Sequence, residues 1–369
     1  MTRVFFKNTT YDYKTLKPVV MEMIVAIGDL AITPQTTVLI KPNLLLPTRS
    51  ERGVLTHPNI VRAVAEYVLD KGARPQISDS PAMGPFERII GLGGYAAALK
   101  GLNVRWKPFR ETAKIDIGMP FGAIDLARDA AEADVIINLA KLKTHAQMYL
   151  TLGVKNMFGC VVGLMKPEWH LRAGINRDKF ARLLVQICQT LAPAITIVDG
   201  IVALEGQGPG KSGTPRALGM LIGGRNPFAV DKAICKVLGI APERLATNRA
   251  AADLGLDEET LYIAGDFHIV NDFDLPDLGP LTCGPGPFQR LARKHLLQKP
   301  IVDDRLCGVC SKCWQYCPTR AILRNQHRVR FDYDRCIRCY CCQEVCPEGA
   351  IRTIEPVAGK LLRKIVKRR

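Results

Sequence analysis

Apolar residues in the first 270 positions follow two recurring patterns. Short runs with little polar interruption predict strands buried on both faces, and hence paired in parallel: Val38-Leu39-Ile40, Val135-Ile136-Ile137-Asn138-Leu139, Ile195-Thr196-Ile197-Val198 and Met220-Leu221-Ile222. Between them, apolar positions recur at helical spacing. The clearest such segment is 58–71, with Ile60, Val61, Val64, Ala65, Val68 and Leu69 on one face and Gly72 as its stop. Thr56 is its expected N-cap, with His57 in the first turn. Segments 178–191 and 227–238 read the same way. Strands alternating with helices predict an α/β domain over residues 1–270, built on a doubly wound, mostly parallel sheet.

The text then changes. Residues 271–287 hold four prolines and read as a linker, and 288–297 as a short basic amphipathic helix, so the connection spans 271–298. Residues 299–355 predict a small α+β module of ferredoxin-like, dicluster type, and 356–369 a basic tail.

That small module is defined by cysteine. Cys307-x2-Cys310-x2-Cys313-x3-Cys317-Pro318 returns 29 residues later as Cys336-x2-Cys339-x2-Cys342-x3-Cys346-Pro347. Ala321 and Ile322 map onto Ala350 and Ile351. This is the bacterial spacing for [4Fe–4S] ligation. Three cysteines on a tight loop reach three corners of one cubane, and the fourth, turned away at its proline, ligates the other cluster. The expected ligands are Cys307, Cys310, Cys313 and Cys346 for cluster 1, and Cys336, Cys339, Cys342 and Cys317 for cluster 2. Zinc sites use cysteine pairs rather than this repeated run. Cys341 aligns with Lys312 and is expected to be a neighbouring thiol, with competition for an iron as the sharper reading. Cys160, Cys188, Cys235 and Cys283 read as isolated small apolar residues. Trp314 and Tyr340, inside the loops, are expected to shield the clusters.

Composition narrows the class. Thirteen cysteines in 369 residues, nine of them between 307 and 346, form a cluster and not a disulfide framework. Residues 1–8 lack the apolar core of a secretory signal, and the nearest candidate span, Val19 to Ile32, carries Glu22 and Asp29. A cytoplasmic protein with free thiols is expected. Of the net +16, residues 288–369 carry +12, from nineteen Lys and Arg against seven Asp and Glu. Such charge steers an acidic redox partner protein. No nucleic-acid recognition motif accompanies it. The last ten residues have the pattern of a basic amphipathic helix, which permits contact with a membrane surface; a solvated tail is the plainer reading.

Open α/β sheets bind ligands beyond the carboxyl ends of their strands. Lys41, Asp79, Lys141 and Asp199 each fall just after a predicted strand. Lys141, Lys143, His145 and Lys155 bring potential cations together, opposed by Asp199 and Glu205. The expected catalytic groups are Lys143, His145 and Lys155. Lys41, Asn43, Lys141, Thr144, Asn156, Asp199 and Glu205 are expected to bind an anionic small molecule. Taken singly, each charge reads as a solvated strand end. The stretch Glu205 to Ser212 resembles a P-loop, but Glu205 replaces its first glycine and Pro209 removes an N–H; a mobile loop over the site is expected. Gly91 to Ala96 fits a dinucleotide pattern without a clear preceding strand, and reads as a tight turn between helices. His170, His268, His295 and His327 show no metal spacing.

Several of these segments carry a resemblance: Lys41-Pro42-Asn43-Leu44-Leu45, Thr56-His57-Pro58, Gly72-Ala73, Asp79-Ser80, Asn138 to His145, Thr151 to Gly159, and Asp199-Gly200-Ile201 with Glu205-Gly206 and Gly208-Pro209. With the cysteine tail, the chain resembles the domain-of-unknown-function 362 iron–sulfur proteins over nearly its whole length. Ala140 stands where that family usually has proline. The resemblance implies a cytoplasmic iron–sulfur protein of prokaryotic anaerobic type and supplies no substrate. The expected function is an oxidoreductase in which two [4Fe–4S] clusters pass electrons to a ligand at the strand ends. The alternative is a non-enzymatic electron carrier, or a redox-linked protein that binds a partner.

Overall fold

The computed structural model describes residues 2–257, 260–276, 278, 292, 295–359 and 361. In chain order its strands are β1 (Thr2–Asn8), β2 (Val38–Pro42), β3 (Pro75–Ile77), β4 (Arg105–Trp106), β5 (Thr112–Asp116), β6 (Ala123–Ala127), β7 (Val135–His145), β8 (Tyr149–Thr151), β9 (Ile195–Gly206), β10 (Gly213–Gly224), β11 (Leu261–Gly265), β12 (Lys299–Val302), β13 (Ile322–Arg324), β14 (Val329–Phe331) and β15 (Ile351–Ile354). Nine form one sheet in the order β11-β1-β10-β9-β7-β2-β3-β4, with β8 added to the end of β7. The pairs β7–β9, β2–β7, β2–β3, β3–β4 and β1–β11 are parallel.

Helices cover both faces, so the strands are apolar on both. Ile40, Ile137, Ile197 and Leu221 pack against helices Tyr13–Ile27 and Pro58–Asp70. Leu39 and Ile136 pack against helix Arg177–Leu191 on the opposite face, and Val198 and Ile222 against helix Pro227–Val237. Each such side chain contributes about 1.5–3 kcal/mol, an upper bound because unfolded chains already bury some surface.

Two expectations about the strands are corrected. Met220 to Ile222 lie in β10, which is antiparallel to both β9 and β1. Only six residues join β9 to β10, and a parallel crossover needs a dozen or more. β7 does not end at Leu139: it runs to His145 with all eleven residues buried, so Lys141, Lys143 and His145 lie within the strand. Asp199 likewise lies inside β9.

Caps and turns add detail. His57, not Thr56, caps helix Pro58–Asp70, its ring Nδ1 accepting from the Asn59 N–H at 3.2 Å. The Thr56 hydroxyl is committed elsewhere, donating to the Leu139 carbonyl at 2.7 Å. Gly91 to Ala96 join helix Phe86–Leu92 to the single turn Tyr95–Ala98, with Gly94 at φ 79°, so no phosphate-binding turn follows a strand there.

In the cysteine module β12 pairs with β15 and β13 with β14, both antiparallel. The 29-residue repeat is visible in the backbone. Left-handed residues recur at Val309 and Arg338, Ser311 and Tyr340, and Arg320 and Gly349. Asp303 N donates to Ala350 O and Asp332 N to Ala321 O, both at 2.8 Å. Most of the basic helix expected over 288–297, Cys283, and most of the linker and basic tail lie outside the described residues. No helix among the described residues is long and apolar enough to cross a membrane.

Candidate functional site at the strand ends

Period-two alternation puts Lys141, Lys143 and His145 on one face of β7. Each ends in a different environment. Lys141 Nζ lies 2.7 Å from Asp199 Oδ2 and 2.8 Å from the Tyr11 hydroxyl, which donates to Asp199 Oδ1 at 2.7 Å. The His57 and Ile201 backbone N–H groups also donate to that carboxylate, at 2.9 and 3.2 Å. Burial pushes the Lys141 pKa down, and Asp199 opposes it. This is a closed, satisfied triad, with His57 stacked on Tyr11 at 3.7 Å as its lid.

Lys143 has no carboxylate in contact. Its ammonium donates to Asn43 Oδ1 at 2.7 Å and to the Val54 carbonyl at 2.8 Å. Burial, reinforced by the charge of Lys155, pushes it down to about 7. Asn43 continues an amide chain: its Nδ2 donates to Asn156 Oδ1 at 2.9 Å, and Asn156 Nδ2 to Asn138 Oδ1 at 2.7 Å. On β2, Lys41 pairs with Asp79 at 2.9 Å; that carboxylate also accepts from Leu44 N at 2.8 Å and Ser80 N at 2.9 Å.

His145 reaches out of the α/β domain. Its Nδ1 accepts from Gln147 N at 3.0 Å and Met148 N at 3.2 Å, which leaves the proton on Nε2. Nε2 donates to Glu344 Oε1 at 2.5 Å, and Lys155 Nζ stands 3.8 Å from the same oxygen. Glu344 follows Cys342 by two residues in the second cysteine loop. Burial pushes His145 down to about 4 and the charge of Lys155 helps, so it is neutral at pH 7. Burial alone would raise Glu344, but Lys155 and the His145 hydrogen bond prevail and hold it well below the ordinary carboxylate range.

A cavity of about 60 Å³ lies between these strand ends and the cysteine module; Lys41, Asn43, Lys155, Asn156, Lys166 and Cys341 are among its walls. Lys41, Asn43, Lys143, His145, Lys155 and Asn156 thus come together, and Lys141 with Asp199 forms the triad beside them. Two expected residues do other work. Thr144 Oγ1 accepts from Gly208 N at 3.1 Å and anchors the β9–β10 turn. Glu205 turns to the surface, where it binds Arg216 at 2.9 Å and accepts from Asp274 N at 3.1 Å. Nor is the 205–212 stretch a loop over the site. Its Gln207 Oε1 accepts from Thr353 N at 2.8 Å, and its Ser212 hydroxyl donates to the Ile351 carbonyl at 3.0 Å, so it clasps the cysteine module.

Sequence reasoning passed over Tyr11, Lys166 and Glu344, kept Asn138 only as part of a strand and a resemblance, and read His170 as no ligand. Glu344 reads as a spacer between ligands, and nothing local marks it. Asp231, also passed over, accepts from Gly153 N at 2.8 Å and Val154 N at 3.1 Å and so positions the turn that carries Lys155 and Asn156.

Burial pushes Cys313 up to about 12, and the surrounding thiols Cys346, Cys310 and Cys307 push the same way. Cys342 is raised well above the ordinary thiol by burial and by Cys339, Cys336, Cys313 and Cys317. A small apolar hollow is lined by Cys317, Cys336, Cys339 and Cys342 together. Backbone N–H groups of Ala321 and Ala350 point at Cys317 Sγ and Cys346 Sγ, at 3.3 and 3.2 Å. Burial thus disfavours a free thiolate at Cys313 and Cys342, and bound iron would supply the missing positive charge there. The residues fit the group.

A family model described as domain of unknown function (DUF362) matches residues 38–236. A thylakoid-associated protein of Synechocystis sp. is 35% identical over 297 residues, covering 78% of this chain and 92% of its own length. The chain belongs to the DUF362 family. A second model, the 4Fe-4S dicluster domain, matches residues 299–347 of this DUF362 protein. Pyruvate synthase subunit PorD of Thermotoga maritima is 39% identical over 56 residues, 15% of this chain and 57% of that subunit. The module therefore carries iron–sulfur clusters and has the character of an electron carrier. Among solved structures, the lactate racemase apoprotein of Thermoanaerobacterium thermosaccharolyticum overlaps with a TM-score of 0.40 at 13% identity, over 62% of this chain and 54% of that one, too loosely to bear on function.

Proposed function

We propose that this DUF362 protein is an iron–sulfur oxidoreductase, with two [4Fe–4S] clusters linking a partner protein to a ligand at the α/β strand ends. Bound clusters supply one-electron transfer; the chain's residues hold them, dock the partner and seat the ligand. Cys307, Cys310, Cys313 and Cys346 would hold one cluster, and Cys336, Cys339, Cys342 and Cys317 the other. The observation that carries the reading is the 2.5 Å bond from His145 to Glu344, which seats the second cysteine loop directly on the strand ends. Lys41, Asn43, Lys155 and Asn156 line the cavity and would seat the ligand, with Lys143 and His145 as proton-holding groups behind Asn43 and Glu344.

The partner side is the first repeat. Cys310 is exposed there, beside the exposed apolar Leu306, Trp314 and Leu323. Arg324 stacks over Trp314 at 5.1 Å. An acidic electron-carrying protein complements this patch. A reducing cytoplasm suits so many free thiols.

The test is anaerobic purification with iron and sulfide counting, followed by mass spectrometry of whatever co-purifies. About eight iron atoms per chain are expected for two cubanes, and four or fewer sinks the two-cluster reading. Ligand binding and turnover should fall in Lys143→Ala and His145→Ala; unchanged values would remove the site. A second reading, a carrier with no chemistry of its own, draws on the likeness of the module to PorD. It predicts no co-purifying small molecule and fast exchange with an acidic protein.

A further inference from the structure

We propose that the cavity between the strand ends and the second cysteine loop is a seat for one small oxyanion, held by Lys166, His170 and Lys155 beside the thiol of Cys341. This deepens the reading above, and rests on it only in placing the anion next to a cluster ligand.

Size comes first. About 60 Å³ has room for a few waters or one phosphate- or carboxylate-sized group. Charge comes second. Three lysines line the space, Lys41, Lys155 and Lys166, against two carboxylates, Asp79 and Glu344. Both carboxylates are already engaged, Asp79 by Lys41 at 2.9 Å and Glu344 by Lys155 at 3.8 Å and by the neutral His145 at 2.5 Å, which leaves Lys166 as the surplus charge. Lys166 is 8% exposed, donates to the Ser80 carbonyl at 2.7 Å, and makes no ion pair among the described residues. A buried ammonium without a counter-charge is costly, and an anion supplies one.

The third observation is independent of charge. His170 lines the same cavity, is 2% exposed, and its Nδ1 has no hydrogen-bond partner. Its ring is fixed by Phe180, with centroids 4.2 Å apart, and by Phe158 at 5.9 Å. Buried polar atoms are nearly always paired, so an orphan in a cavity wall marks a missing partner. Gly159 closes the cavity: a Cβ there would collide with Asp79 Oδ1 and Lys41 Nζ. Finally, Cys341 stands where the first repeat has Lys312. It is in the cavity wall and lies between the expected cluster 2 ligands Cys339 and Cys342 in the chain.

The experiment uses anaerobically prepared holoprotein, titrated calorimetrically with inorganic phosphate and separately with acetate. Saturable one-to-one binding of at least one probe is expected, and which one binds tells a phosphate seat from a carboxylate seat. Affinity should fall about tenfold or more in Lys166→Ala and in His170→Phe, since each removes a hydrogen bond to a charged group. It should survive in Lys166→Arg and in the remote Lys114→Ala. Should Lys166→Ala not fold, His170→Gln and Lys166→Arg carry the comparison. Binding of neither probe, or binding indifferent to both Lys166 and His170, overturns the seat. Electron exchange with a viologen on the same samples separates the two ideas. Exchange without anion binding removes the seat alone; Lys166-dependent binding without exchange keeps the seat and removes the redox reading.

Discussion

The two cysteine loops have the same ligand spacing and the same left-handed residues, yet they face different worlds. In the first, Cys310 and Trp314 are exposed; in the second, the equivalent Cys339 and Gln343 are buried. Three spacer positions make the difference. Lys312, Trp314 and Gln315 of the first loop correspond to Cys341, Gln343 and Glu344 of the second. Gln343 Nε2 donates to the Gln207 carbonyl at 2.8 Å, and Glu344 accepts from His145 at 2.5 Å. Cysteine spacing and backbone handedness are thus both duplicated. Docking depends on spacer side chains, which are not.

The most severe way to probe this asymmetry is to remove ligands. Cys313→Ala and Cys342→Ala should each lose about half of the iron. Only Cys342→Ala should also free the module for limited proteolysis, because its loop holds the docking carboxylate. Equal proteolysis in both variants would erase the distinction.

Next comes the carboxylate itself. Glu344→Ala leaves buried His145 and nearby Lys155 without their acceptor and should cost about 3 kcal/mol, as broken buried pairs do. Gln315→Ala at the equivalent position should stay within about 0.5 kcal/mol. Urea unfolding of the anaerobic protein measures both.

A smaller effect is expected from pH on the strand-end side. Lys143 is held near 7 in the folded protein against an ordinary 10.5. Between these values the unfolded chain binds the extra proton, so its share of stability rises as pH climbs from about 7 toward 10.5 and is flat below. Urea midpoints across that window should rise less in Lys143→Met. An equal rise would mean that Lys143 titrates normally.

The smallest change belongs to the exposed loop. Trp314→Ala should slow electron exchange with an acidic partner several-fold while leaving the unfolding midpoint within error. Unchanged exchange would move the partner to another face.

How far the residue pattern exposes all this differs by region. The cysteine repeat is local in sequence, so its expected ligands follow from spacing alone. Helix Pro58–Asp70 is readable because its apolar stripe repeats over three turns. β7 is misread at Leu139 because lysines normally end a buried strand. Lys141 and Lys143 continue it only because Asp199, Tyr11 and Asn43, distant in sequence, meet their ammonium groups. The site residues Lys166 and His170 lie on helix Met165–Ala173, which has no motif. The role of Glu344 depends on which way one loop faces, and that follows from docking.

The β9–β10 turn clasps the module through Gln207 and Ser212, and this has a consequence for how the protein matures. Once the turn has closed, Cys339, Cys342 and Cys346 are buried. Whatever delivers iron and sulfide must therefore reach the second loop before the turn grips it. A chain closed without its metal would hold these three thiols out of reach of any delivering protein.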